Sequence, residues 1–185
     1  VNAVLLRGES LATAIGSARR AATDPRILAA AQDLVYGVLR AHGRLAFFLD
    51  RLTQRPLHPA ELRGLLLVGL YELDRGETPA YAAVNEAVAL AARRHPRAKS
   101  AVNGILRTFQ RQREGLAGAA ETDPTARWNF PEWWRARLAE QYPSAWPDML
   151  EAMNRHPPMT LRVNRRRIAV EDYRARLDTL GIAST

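Results

Sequence analysis

The chain has 185 residues, 47% of them hydrophobic, with 27 basic and 19 acidic side chains that give a net charge of +8. It is long enough to bury a substantial core, and no apolar run approaches the roughly 18 residues that a transmembrane helix needs. The absence of cysteine excludes disulfides, thiolate metal sites and cysteine nucleophiles within this sequence. We therefore expect a folded cytoplasmic protein, and the positive charge favours a polyanionic partner.

Residues 1–115 predict an all-α helical bundle, because apolar positions recur at helical spacing and no stretch alternates as a half-buried strand would. One or two short helices are expected from Leu5 to about Ile15, with Ser10 as an N-cap. Asp24 followed by Pro25 is typical of a cap and first-turn proline, and predicts a helix that continues to about Arg40.

The middle of this block predicts further helices. Gly43 is expected to break or kink the chain, and the helix after it should end before Pro56. The segment from Glu61 to Asp74 is apolar almost all the way round, which is typical of a central helix covered by neighbours on every side.

Two more helices complete the predicted bundle. Thr78 and Pro79 are expected to cap and open a helix to Arg94, which has an alanine at every fourth position of one face. Side chains this small allow another helix to approach closely. The last helix is expected from about Lys99 to Arg113.

The remainder of the chain differs in composition. Residues 116–127 contain four alanines and the Asp123-Pro124 pair, and predict a linker. Residues 128–185 hold all four tryptophans and predict short helices that start near Pro131 and Pro147, then a strand at Met159–Val163 and a helix at Val170–Leu180 that ends at Gly181. Because no later segment can pair with the strand, we expect a short incomplete α+β segment.

One interval of the sequence is strongly basic. No acidic residue occurs between Glu86 and Glu114, and Arg107 and Arg111 are spaced to share a helix face. We expect this interval to contact the phosphates of RNA, although a solvated arginine face would show the same pattern. The candidate RNA-binding residues are Arg93, Arg94, Arg97, Lys99, Arg107, Arg111 and Arg113.

Other polar clusters are less specific. A second basic group at residues 162 and 165–167 is typical of a solvated turn, and Arg19 with Arg20 would complement a helix dipole as well as bind RNA. No pair among the four histidines has metal-site spacing, and no glycine-rich phosphate loop occurs. We therefore expect no catalytic residue, metal site or nucleotide cofactor site in this sequence. The histidines are His42, His58, His95 and His156.

Four motifs in order resemble the NusB family of helical RNA-binding domains. They are Tyr36-Gly-Val-Leu-Arg40, Leu65-Leu-Leu-Val-Gly-Leu-Tyr-Glu-Leu73, Val84-Asn-Glu-Ala-Val88 and Val102-Asn-Gly-Ile-Leu-Arg107. The resemblance covers most of residues 1–115 and implies a NusB-like bundle that recognises RNA.

The segment that follows these motifs resembles a more specific family. Asn154-Arg155, Pro157-Pro-Met159 and Leu161-Arg-Val-Asn164 are similar to the region that joins a NusB-like domain to the catalytic part of the bacterial 16S rRNA cytosine-C5 methyltransferase B family. This resemblance implies 16S rRNA and the protein's own catalytic domain as partners, and an RRM-like subdomain in residues 128–185. It also implies that S-adenosylmethionine and a nucleophilic cysteine act in a catalytic domain beyond Thr185.

Two alternative functions remain open at this point. A free-standing NusB-type antitermination factor would bind RNA together with a ribosomal-protein partner, and the sequence after Glu114 argues against it. A purely structural domain would instead bury the basic interval against its own catalytic domain and leave RNA untouched.

Overall fold

A computed structural model describes residues 1–21, 24–155, 157 and 159–184, and all regular structure within them is helical. The chain divides into two compact units, Val1–Asn154 and Arg155–Thr185. The α-helices are α1 (Asn2–Leu5), α2 (Leu11–Ala21), α3 (Pro25–Arg40), α4 (His42–Leu52), α5 (Leu62–Arg75), α6 (Ala80–Arg94), α7 (Lys99–Thr122), α8 (Pro124–Trp128), α9 (Glu132–Gln141), α10 (Trp146–Asn154) and α11 (Val170–Thr179).

Several helix starts are set by local capping, as the sequence predicts. The Thr13 amide donates to the Ser10 hydroxyl at 3.1 Å, and the Arg26 amide donates to the Asp24 carboxylate at 2.8 Å. These bonds satisfy amides that have no partner inside their own helix. The predicted Thr78 cap is wrong, because no side chain caps α6 and the Thr78 hydroxyl instead donates to Glu72.

The core of the first unit surrounds α5, which confirms the predicted central helix. Its apolar side chains pack against α3, α4, α6 and α7. The alanine face of α6 allows close packing, since Ala83 and Ala91 are fully buried. The rings of Phe48 on α4 and Phe109 on α7 lie 5.1 Å apart at their centroids. The buried residues of α5 are Leu62, Gly64, Leu66, Leu67, Gly69, Leu70 and Leu73.

The segment predicted as a linker is helical instead. Helix α7 continues to Thr122, and α8 follows after the Asp123 cap. Leu116, Ala120 and Ala126 all belong to the core cluster, so burial of these small apolar residues stabilises helix where composition alone indicated a loop.

The second unit contains α11, and the predicted helix end is confirmed by Gly181, which has φ +71°. The strand predicted at Met159–Val163 is wrong: these residues lack any ladder, and no described segment of this unit is paired as a strand. An extended segment gains stability as a strand only when a neighbouring backbone satisfies its amides and carbonyls. The predicted α+β segment is therefore helix and irregular chain in the described residues.

Candidate nucleic-acid interface

Four of the candidate cations lie where α6 turns into α7. Arg93 and Arg94 occupy the last turn of α6, Arg97 lies in a short 3₁₀ turn, and Lys99 begins α7. All four side chains are exposed, while Ala98 between them is buried. The chain turns here because the ring of a proline, at position 96, disfavours helical backbone at the residue before it.

Two further cations project from α7 on the side away from the core. Arg107 and Arg111 are exposed and one turn apart, and Arg111 donates to the Thr108 hydroxyl at 2.8 Å. Arg107 lies about 12 Å along the helix axis from Lys99 and about 80° around it. The four cations at the turn and these two on α7 form what we call the basic surface: Arg93, Arg94, Arg97, Lys99, Arg107 and Arg111.

Arg113 does not join this surface. It lies about 160° around α7 from Arg111. Its guanidinium donates to the carbonyl oxygen of Asp74 at 2.6 Å, beside the end of α5. This contact satisfies a carbonyl that has no partner within its own helix, so Arg113 connects α5 and α7.

The basic surface differs in its ion pairing from Arg7, Arg44, Arg63 and Arg75, each of which has an acidic partner. Within the described residues, no carboxylate forms an ion pair with any of its six side chains. Arg75, by contrast, is bonded to Glu77 and Asp33, and these hydrogen bonds raise the pKa of its guanidinium. The charges of the basic surface are therefore available to an external anion.

The remaining predicted clusters are exposed. Arg162 and Arg165–Arg167 lie in the second unit, and Asn164 accepts the Arg166 amide in the turn between them. Arg19 and Arg20 lie in the last turn of α2, as the dipole argument predicts. Residues of the cluster in the second unit line two surface cavities of about 670 and 750 Å³.

The histidines occupy different environments. His42 is half-buried, and burial together with the nearby charge of Arg63 lowers its pKa. His58 and His95 both line a surface cavity of about 1160 Å³ that sequence analysis missed. His156 lies outside the described residues. In the sequence, both His58 and His95 precede a proline, which indicates two tight turns. It does not indicate that the two turns lie next to each other in the fold.

No three potential metal ligands come together in the part of the chain that the structure describes. Over the same residues, no helix is both long and apolar enough to cross a bilayer.

Comparison with protein families gives two matches. The NusB family matches residues 1–111, and the Methyltr_RsmF/B-like, ferredoxin-like domain matches residues 130–185. The residues between these matches are those of the C-terminal part of α7 and of α8.

Comparison with individual proteins gives relatives over nearly the whole chain, each named ribosomal RNA small subunit methyltransferase B. The protein from Serratia proteamaculans is 36% identical over 100% of this chain, that from Pseudomonas putida 37% over 99%, and that from Vibrio cholerae 38% over 96%. The chain spans 43%, 43% and 42% of the lengths of these relatives.

Proposed function

Because the chain belongs to the NusB family, we propose that it is an RNA-binding part of a ribosomal RNA small subunit methyltransferase. In this proposal the basic surface binds phosphates of 16S rRNA and presents the RNA to a catalytic domain. Such a role would place the protein in the cytoplasm, where ribosomal RNA is modified.

The observation that carries this proposal is the set of six exposed cations that have no acidic partner in the described part of the chain. They lie on two packed helices and the turn between them, so their positions are fixed by the core. Arginine is suited to this contact, because its planar guanidinium can donate two parallel hydrogen bonds to one phosphate. Arg113 is excluded from the proposed contact, since its guanidinium is bonded to α5.

The methyl-transfer chemistry is proposed to occur outside these 185 residues. S-adenosylmethionine would supply the methyl group, but the described residues form no strand, loop and helix unit of the kind that holds such cofactors. The sequence also has no cysteine to attack the cytosine base. The residues present do not fit this cofactor, and we derive no catalytic step from them.

Similarity beyond the bundle favours a methyltransferase over an antitermination factor. The relatives match this chain through residues 130–185 as well as through the NusB-like region. The alternative that the domain is purely structural needs the basic surface to be covered by a region of the relatives that this chain does not span.

The proposal predicts a charge-specific loss of RNA affinity in the double variant Arg107→Glu, Arg111→Glu. If each arginine neutralises one phosphate, the slope of log affinity against log salt should fall by about 1.4 to 1.8. We expect affinity for a 16S rRNA fragment to fall at least about tenfold at low salt. Fluorescence anisotropy at several salt concentrations measures both quantities.

A matched control separates local contact from net charge. The double variant Arg26→Glu, Arg137→Glu makes the same change in charge at exposed positions on α3 and α9. It should retain the salt slope of the wild type. Equal affinities for the wild type and the Arg107→Glu, Arg111→Glu protein would overturn the proposal.

A further inference from the structure

A cavity of about 1160 Å³ opens beside the basic surface. One wall is the loop between α4 and α5, and the other is formed by the 3₁₀ turn and the first two turns of α7. Sites that hold small organic ligands are roughly 300–1,000 Å³, so the cavity is large enough for a planar ring and its sugar. Arg97 belongs both to its lining and to the basic surface.

The walls of this cavity are mostly apolar and include several flat rings. Leu57 and Ile105 contribute aliphatic surface from the two opposing walls. Imidazole rings of His58 and His95 and the prolines beside them line the same space. Imidazole and other aromatic rings stack on nucleobases that have left a helix, and stacking tolerates any base because every base has a π face.

The charges around the cavity complement an anion. Arg55 lies in one wall and Arg97 in the other, and among the described residues none that lines the cavity is acidic. An apolar space between two guanidinium groups matches a ligand that carries a flat ring and a phosphate. A bound protein segment would contact the apolar walls but would not require the two guanidinium groups.

From this arrangement we infer that the cavity binds an unstacked nucleotide of single-stranded RNA. This inference rests on the proposed function, and it adds that the protein selects unpaired RNA. The base lies between the apolar walls, and the adjoining phosphates contact Arg97 and Arg55. The RNA backbone then continues along the basic surface toward Arg107.

Removing the imidazole rings tests this inference. His58→Ala and His95→Ala each remove one ring from the cavity and leave Arg55 and Arg97 in place. The control Tyr142→Ala removes an exposed aromatic ring that does not line the cavity. Circular dichroism and thermal unfolding check that all three variants fold.

The readout is the ratio of affinities for a single-stranded RNA and for its duplex of equal length. We expect the wild type and Tyr142→Ala to prefer the single strand by about tenfold, the scale of one stacked base. Both cavity variants should reduce this preference to within about twofold while retaining duplex affinity and its salt slope.

The outcomes separate this inference from the proposed function. If the wild type has no preference for single-stranded RNA, or if the preference survives both cavity variants, the inference is overturned, although salt-dependent binding still supports the proposed function. Loss of the preference in His58→Ala and His95→Ala but not in Tyr142→Ala supports the inference. Failure of the wild type to bind either RNA overturns both.

Discussion

At the scale of single residues, interactions between near neighbours were predictable and interactions between distant residues were not. The Ser10 and Asp24 caps use amides two or three residues away, so sequence alone indicated them. Arg44 has partners 30 to 85 residues away, and no local pattern marks it. The same limit applies to His58 and His95, whose meeting at one cavity depends on the packing of four helices.

Arg44 joins several elements of the bundle. Its guanidinium donates to Asp74 at 3.0 Å and to Glu121 at 2.8 Å, and it lies 5.0 Å from the centre of the Phe48 ring. Its backbone amide donates to the Asn129 side chain at 2.9 Å. Because Arg44 and Asp74 are each only about one-fifth exposed, removal of the guanidinium would leave a largely buried carboxylate without its partner.

We therefore predict that Arg44→Met destabilises the protein by about 1 to 3 kcal/mol, the usual cost of losing hydrogen bonds to a charged group at a partly buried site. Methionine retains apolar contact with Phe48 and so isolates the polar interactions. Arg7→Met is the control, because Arg7 is exposed in its pair with Glu9 and such pairs contribute no more than about 1 kcal/mol. Urea denaturation measures both free energies, and equal effects would contradict the prediction.

At the scale of secondary-structure elements, periodicity located the helices of the bundle but failed beyond Arg113. Alanine and glycine are common in linkers, yet alanine is also the residue with the highest helix propensity. The packing of Leu116 and Ala120 into the core decides between these alternatives, and that packing depends on α4 and α8. The prediction of a strand at Met159–Val163 was wrong for the opposite reason: the composition of this segment favours a strand, but its backbone has no partner strand among the described residues.

Gly43 has a different role from the predicted helix break. The chain turns at Ala41, and Gly43 lies in the first turn of α4 against the backbone of α8. A methyl group at this position would collide with the carbonyl oxygen of Thr125 and approach Asn129. Glycine is therefore required here because two helices meet at short distance.

We predict that Gly43→Ala destabilises the protein by about 1 to 3 kcal/mol, the typical cost of forcing an extra carbon into a packed contact. Gly104→Ala is the matched control, because a methyl group there meets no atom within 4 Å on the exposed side of α7. That variant should stabilise the protein by about 0.5 to 1 kcal/mol through helix propensity. If chemical denaturation shows that Gly43→Ala lowers the free energy of unfolding and Gly104→Ala raises it, the contact between Gly43 and α8 is supported. Stabilisation by both substitutions would refute that contact.

At the scale of the whole molecule, sequence similarity and packing divide the chain differently. The NusB family match covers residues 1–111, and the boundary at residue 115 stays a prediction. The compact unit extends further, to Asn154, because the elements after the bundle pack onto it. Asn154 donates to the carbonyl oxygen of Trp128 at 2.8 Å, and the Trp128 and Trp146 rings lie 5.4 Å apart. Sequence similarity and physical packing therefore mark different boundaries.

Truncation distinguishes these two boundaries. A protein of residues 1–114 lacks the core side chains of Leu116, Ala120 and Ala126 and the Glu121 partner of Arg44. Burial of one leucine stabilises by about 1.5 to 3 kcal/mol, so the loss of all these contacts should cost at least about 3 kcal/mol. A protein of residues 1–154 keeps them and should unfold within about 1 kcal/mol of the full chain. Urea denaturation followed by far-ultraviolet circular dichroism measures all three proteins through their helix content. If residues 1–114 are as stable as residues 1–154, then α7 beyond Arg113 is a linker in energetic terms despite its helical structure.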